Sequence, residues 1–308
     1  MPKVAFLFPG QGSQYVGMGR EIAENHKEAM EYFVRADEIL GYSLSEMIFN
    51  GTEDELRNTE VTQPAILTVS TAILAVLQKA GLQPEAAAGL SLGEYSGLVC
   101  AGALRFEDAL PLVRQRARFM QNAVPLGQGG MAAVLGLEAE DVVLLCQEAL
   151  EFGYVEPANY NCPGQVVVAG KKEAVQEVCR LAKEKKARAV MLSVSAPFHC
   201  KLLSSIEEKM DELLKKTEIM QTRIPVVANV SARYVKSPED IRNSLVKQVS
   251  HPVLWENSMK RLLGDGYDLF IEVGPGRVLT GFMRKISSDV ESTHVENLET
   301  LERLFKLV

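Results

Sequence analysis

The segment Gly89-Leu90-Ser91-Leu92-Gly93 sets a serine between two glycines, after the small apolar run Ala86–Leu90 and before a helical stretch, EYSGLVCAGAL. A strand that turns sharply into a helix at such a point pushes the serine hydroxyl into a cleft, and the flanking glycines permit the tight turn. The backbone N–H of Leu92 would then face a developing oxyanion at the helix N-terminus. The bland alternative is a serine that merely caps a helix.

A serine nucleophile needs a base, and the chain has four histidines, His26, His199, His251 and His294. His26 lies in the charged helical stretch ENHKEAMEYF and reads as solvated surface. His251 precedes Pro252 in a loop. His199 follows Pro197-Phe198 where the strand AVMLSV meets a helix, and open α/β sheets place their chemistry at strand ends. His294 is a rival, because with Asp268 it gives the chain order Ser…Asp…His of α/β-hydrolases. Spacing alone leaves both histidines open.

The third candidate is an arginine. In FEDALPLVRQRARFMQNA, a turn of 100° per residue puts Leu112, Val113, Ala117, Phe119 and Met120 on one face and Glu107, Arg114, Arg118 and Asn122 on the other. Arg116 falls inside the apolar arc. A guanidinium there is costly unless an anion meets it. That anion is either an internal carboxylate or a carboxylate on the substrate, gripped by the planar fork. Beside a serine nucleophile, the second reading suggests transfer of an acyl group with a free carboxylate, of which malonyl is the simplest.

These side chains must be held by a larger frame. A chain of 308 residues can bury about three quarters of its unfolded surface, and 47% hydrophobic with 24% charged residues is ordinary globular composition. Strands are expected at Val4–Phe8, Ala86–Leu90, Met131–Leu137, Gln165–Ala169, Ala187–Val194, Pro225–Val230 and Asp268–Val273. Helices are expected around Gln63–Ala80, Phe106–Ala123, Glu138–Glu151, Lys172–Lys185, Cys200–Lys216, Asp240–Val249, Trp255–Leu263 and Leu298–Leu307. Their alternation predicts an α/β fold with a mostly parallel sheet. From Gln128 to Val194 the order becomes strand, helix, two close strands, helix, strand, that of a ferredoxin-like unit. The expected organisation is a larger hydrolase-like α/β subdomain over 1–125 and 196–308, with a smaller ferredoxin-like subdomain, 126–195, inserted in it.

A net charge of −7 gives no reason to expect nucleic acid, and no window reads as long and apolar enough to span a bilayer. The N-terminus carries no signal-peptide pattern. The five cysteines are scattered without a Cys-x-x-Cys pair, which argues for a reducing, cytoplasmic location and against structural zinc or disulfides.

The runs FLFPGQGSQYVGMG, TQPA, GLSLGEYSGLVCAGAL, VRQRARFMQNAVP, MAAVLGL, PANYNCPGQVVVAG, VSAPFHC, PVVANVSA and IEVGPGRVLTG resemble the malonyl-CoA:acyl carrier protein transacylase family, in order, over nearly the whole chain. The resemblance implies a dyad, with Ser91 as acylated nucleophile and His199 as general base. It puts Gln248 where a main-chain carbonyl orients the histidine, which removes the Asp268–His294 rival. It matches Arg116 to the arginine that pairs with the malonyl carboxylate and Gln11 to a second oxyanion donor beside Leu92. Gln63 and Asn159 match polar cleft positions. Phe198 resembles malonyl-selective members, in which bulk crowds the branch of methylmalonyl, and Leu92 points the same way. One departure is Leu90, where the family usually has histidine. The dyad survives it, while polar contacts behind the nucleophile change.

The resemblance further implies malonyl-CoA and acyl carrier protein as partners, a monomer, and no metal or redox cofactor. Lys183-Glu184-Lys185-Lys186, Lys201 and Arg277 are candidates for docking an acidic carrier. Competing readings are a serine acyl hydrolase, which has no use for Arg116; a non-catalytic docking protein, which gains nothing from the three residues; and a trans-acting acyltransferase of polyketide synthesis.

Overall fold

Val4–Phe8 (β1) is buried along its whole length, as a strand with helices on both faces must be. In this computed structural model, which describes residues 2–125, 127–194 and 196–307, nine further strands follow. They are Ala86–Gly89 (β2), Gly129–Leu135 (β3), Val155–Cys162 (β4), Gln165–Lys171 (β5), Arg188–Met191 (β6), Val226–Val227 (β7), Tyr234–Val235 (β8), Leu269–Val273 (β9) and Glu291–Val295 (β10). The first sheet has the order β10-β9-β1-β2-β7-β8, parallel except for the antiparallel edge pair β7 and β8. The second, β4-β5-β3-β6, is antiparallel throughout. With the helices Ala139–Glu148 and Lys172–Glu184 between its strands, it is the ferredoxin-like unit. The α/β class with an inserted ferredoxin-like subdomain is therefore as expected. Its expected limits, Leu126 and Ser195, lie outside the described residues.

The boundaries differ where local chemistry intervenes. The expected strand Pro225–Val230 stops after two residues, because the chain reverses: Ala228 N–H bonds to Arg233 O and Ala232 N–H to Ala228 O. Cys200–Lys216 is a 3₁₀ segment, Lys201–Ile206, followed by an α-helix, Glu207–Lys215. Strand β4 hides its period of two behind register shifts at Pro157/Asn159 and Tyr160/Cys162. His26 caps the joint between the helices Arg20–Asn25 and Lys27–Leu40 instead of lying inside one.

Contrary to the expectation that no window is long and apolar enough to span a bilayer, the helix Thr59–Lys79 is. The helix is mostly buried within the protein, where Ile66, Leu67, Val69 and Ile73 join the main core around the large sheet. It begins four residues before the expected Gln63, because the Asn58 side chain caps it by accepting from Glu60 N–H.

Candidate active site

Ser91 stands where β2 ends, with a backbone φ of 54°. A non-glycine residue is held there only by a turn that its surroundings over-determine. Two glycines allow it. A Cβ on Gly89 would lie 1.9 Å from the carbonyl of Gly93, and one on Gly93 would lie 2.0 Å from the carbonyl oxygen of Phe8 in β1. Asn229, just past β7, clamps the turn from the far side. Its Oδ1 accepts from Ser91 N–H at 2.7 Å and its Nδ2 donates to Gly89 O at 2.7 Å. Ser91 N–H is thus engaged, while Leu92 begins the turn into the helix Gly93–Cys100.

His199 meets the serine from the opposite side of the cleft. Its Nε2 is 2.6 Å from Ser91 Oγ, and its Nδ1 is 2.7 Å from the main-chain carbonyl of Gln248. A carbonyl only accepts, so Nδ1 carries the proton and Nε2 presents its lone pair to the hydroxyl. Burial first, and then the charge of Arg116, push the His199 pKa down to about 3, against the opposing main-chain bonds at Gln248 and His251. The ring is neutral, the form a general base requires. Asp268 and His294 are engaged elsewhere: Asp268 accepts from Lys3 N–H at 2.6 Å, and His294 lies on edge strand β10, 3.7 Å from Glu296.

Arg116 is fully buried within the helix Phe106–Gln121, as its place in the apolar arc requires. Among the described residues no carboxylate lies within ion-pair distance of it. Its partners are neutral oxygens: Gln63 Oε1 at 2.7 Å, Gln248 Oε1 at 2.9 Å and Ser91 Oγ at 3.2 Å. The guanidinium also sits over the Tyr95 ring, 5.3 Å from its centroid. Its Nε is buried and without a hydrogen-bond partner among the described residues.

The cleft beside this cluster measures about 260 Å³ and is lined by Gln11, Gln63, Ser91, Asn159, Phe198 and His199, with Leu90 at its wall. Gln11 donates its Nε2 to Thr59 Oγ1 at 3.3 Å. Asn159 stands on β4, whose main chain bonds to that of Val253, so the small sheet contributes directly to the cleft. Five expected residues (Gln63, Ser91, Arg116, His199 and Gln248) form one hydrogen-bonded cluster. Gln11, Asn159 and Phe198 face the cleft around it. Among the described residues no three His, Cys, Asp or Glu side chains gather as metal ligands would.

Sequence reasoning missed Asn229 and Glu94. Glu94 is buried, and its Oε2 accepts from Gln248 Nε2 at 2.7 Å and Asn229 N–H at 3.1 Å. Burial raises its pKa to about 7. A carboxylate within the otherwise apolar helix Gly93–Cys100 is a signal of the same kind as Arg116.

A strained serine, a neutral histidine and a buried cation at one strand end define an α/β serine acyl transferase. The acyl transferase domain family matches residues 5–302. A malonyl CoA-acyl carrier protein transacylase of Bacillus subtilis is 45% identical over 98% of this chain and 96% of its own. One of Staphylococcus aureus is 43% identical over 98% of each. Among solved structures, an acyl-carrier-protein S-malonyltransferase of Burkholderia pseudomallei superposes with a TM-score of 0.96 at 43% identity, over 99% of both chains. A malonyl-transacylase in complex with a type II PKS acyl-carrier protein gives 0.97 at 40% identity, over 99% of this chain and 100% of the other. The chain belongs to the malonyl CoA-acyl carrier protein transacylase family.

Proposed function

We propose that this protein transfers a malonyl group from malonyl-CoA to the phosphopantetheine thiol of acyl carrier protein, through a malonyl ester on Ser91, and so supplies fatty acid synthesis. The observation that carries the reading is Arg116, a buried guanidinium with neutral partners only, within hydrogen-bond reach of the serine hydroxyl. A malonyl carboxylate provides the direct ion-pair partner that Arg116 lacks among the described residues, the nearby Glu94 carboxyl acting on it only through space, and a desolvated charge pair of this kind selects strongly for that acyl group.

In the first half-reaction the malonyl carboxylate lies on Arg116, and the thioester carbonyl faces the N–H groups of Leu92 and Gln11. His199 Nε2 takes the Ser91 proton as Oγ attacks the carbonyl carbon. The C–S bond breaks, and CoA leaves with the proton from His199. In the second half-reaction His199 deprotonates the carrier thiol, which attacks the ester, and Ser91 recovers its proton. Nucleophile, base and oxyanion donors supply each step, so no cofactor enters this scheme.

The remaining assignments belong to the same reading. Gln248 orients His199 through its main chain and Arg116 through its amide. Gln63 fixes the other arm of the guanidinium. Asn159 and Phe198 shape the cleft, Phe198 against a branched acyl group. Residues 1–125 and 196–308 act as the catalytic body and 126–195 as the inserted subdomain that closes the cleft. Five free cysteines among the described residues support a reducing cytoplasm.

The test supplies malonyl-CoA and holo-acyl carrier protein and follows the mass of the carrier. Malonylated carrier that forms with the wild-type protein and not with Ser91→Ala is the expected result. Free malonate with unmodified carrier would point to a hydrolase instead.

A further inference from the structure

Gln248 is fully buried and has every polar atom of its side chain committed. Its Oε1 faces Arg116, a pure donor. Its Nε2 faces Ser91 O at 2.9 Å and Glu94 Oε2 at 2.7 Å, both acceptors. Its main-chain oxygen takes the His199 Nδ1 proton. A single residue therefore touches nucleophile, base and cation at once, and its amide has two possible orientations. Turned over, it would set N–H groups against the guanidinium and oxygen against oxygen.

Two acceptors hold the amide in place, and of these only Glu94 is a side chain. The same Glu94 oxygen accepts from Asn229 N–H, so one carboxyl group joins the clamp on the serine turn to the residue behind the cation. Glu94 touches neither the cleft nor Ser91 Oγ. Its other oxygen, Oε1, is buried and unpartnered among the described residues. One oxygen with two donors is thus doing all the directional work.

We infer that Glu94 is a positioning residue, which fixes the Gln248 amide so that its oxygen holds the Arg116 guanidinium in the geometry that receives the acyl carboxylate. The inference rests on the reading of Arg116 given above. Without Glu94 a buried N–H of Gln248 loses its acceptor, and the low dielectric makes that loss costly. The amide then leaves its present orientation, and Arg116 loses one of its three oxygens. The consequence falls on carboxylated acyl groups more than on neutral ones.

The experiment measures acylation of Ser91 by malonyl-CoA and by acetyl-CoA, and reads the ratio of the two rates. Glu94→Ala should lower the malonyl-to-acetyl ratio by about tenfold, and Glu94→Gln, which keeps an acceptor oxygen, should bring it back to within about threefold. The double variant Glu94→Ala/Gln248→Ala should be no worse in ratio than Gln248→Ala alone, since both act through one amide. Equal loss for both acyl groups in Glu94→Ala would mark a structural role and overturn the proposal, as would an additive double variant. Arg116→Ala serves as control. If it is malonyl-selective and Glu94→Ala is not, the proposal fails and the reading stands. If Arg116→Ala costs both acyl groups equally, the reading fails and takes the proposal with it. Should Glu94→Ala not fold, Glu94→Gln and Glu94→Leu in the folded fraction give the same contrast, and an unchanged ratio in Glu94→Leu overturns the proposal.

Discussion

The guanidinium of Arg116 donates to the hydroxyl of Ser91 across 3.2 Å, so the same oxygen that accepts a hydrogen bond from the cation also donates one to His199 Nε2 at 2.6 Å. The cation stands where the far end of a short dicarboxylic acyl group would reach once its carbonyl carbon is bonded to Oγ. On the proposed function, substrate selection and nucleophile placement are joined in this one contact.

Removing that cation should separate the two acyl groups. Arg116→Ala is expected to lower malonyl acylation of Ser91 by about 10²- to 10⁴-fold, the size of a broken buried charge pair. Acetyl acylation should be kept or gained. Rates from single-turnover mixing with each acyl-CoA check this, and equal losses would contradict the clamp.

The acid side of the pH profile follows from His199. Its pKa is pushed down to about 3, so the base should stay competent well below pH 6.5, and acetyl acylation should be flat from there upward. Part of the push is the charge of Arg116. Arg116→Met should therefore move the acid limb of acetyl acylation to higher pH. An unmoved limb would show that burial alone sets it.

Stability carries the same sign. Between pH 6.5 and about 3 the unfolded chain protonates His199 while the folded chain does not, so the folded chain binds fewer protons. The contribution is complete above pH 6.5 and is lost as pH falls. Glu94 acts oppositely: raised to about 7, it contributes below the ordinary carboxyl pKa of 4.5 and loses that contribution as pH rises through 7. Urea titrations should show His199→Gln losing less stability than the wild type between pH 6.5 and 4. A parallel decline in both would contradict the buried neutral ring.

Asn229 satisfies two main-chain groups of the serine turn, on Ser91 and Gly89. Asn229→Ala leaves both without partners and should cost about 1–3 kcal/mol for each group that stays buried. Denaturant midpoints and Ser91 acylation should fall together. A stable, slow variant would show that Asn229 acts on the chemistry alone.

Carrier docking should be electrostatic. Arg277 is exposed and precedes Val278, which lines the cleft, and Lys201 is exposed two residues after His199. Arg277→Glu and Lys201→Glu are expected to slow malonyl transfer to the carrier in low salt, with the deficit shrinking as salt rises, and to leave loading from malonyl-CoA intact. Loss of loading as well would remove either residue from the docking face.

Much of this site was legible in the sequence, for reasons particular to each residue. Ser91 lay between glycines at a strand end, and that local pattern has one cheap geometry. Arg116 broke the polarity of an otherwise regular helix, which a wheel exposes. His199 and His294 could not be separated by spacing, since partners set the role of each, and the partner of His199 is a carbonyl without a sequence signature. Asn229 was illegible for a related reason: its partners lie 138 and 140 positions away. Strand β4 was expected as one of two close strands, but its bounds escaped because Pro157 and two register shifts spoil its alternation; β10 escaped because an edge strand reading ESTHV has no apolar face.

A covalent malonyl ester on Ser91 is visible in the intact mass of the protein mixed with malonyl-CoA and no carrier. The expected result is a mass increase of one malonyl group on the wild-type protein, none on Ser91→Ala, and slow or no increase on His199→Ala. Release of free CoA and malonate without any adduct, or an adduct that persists in Ser91→Ala, would contradict it.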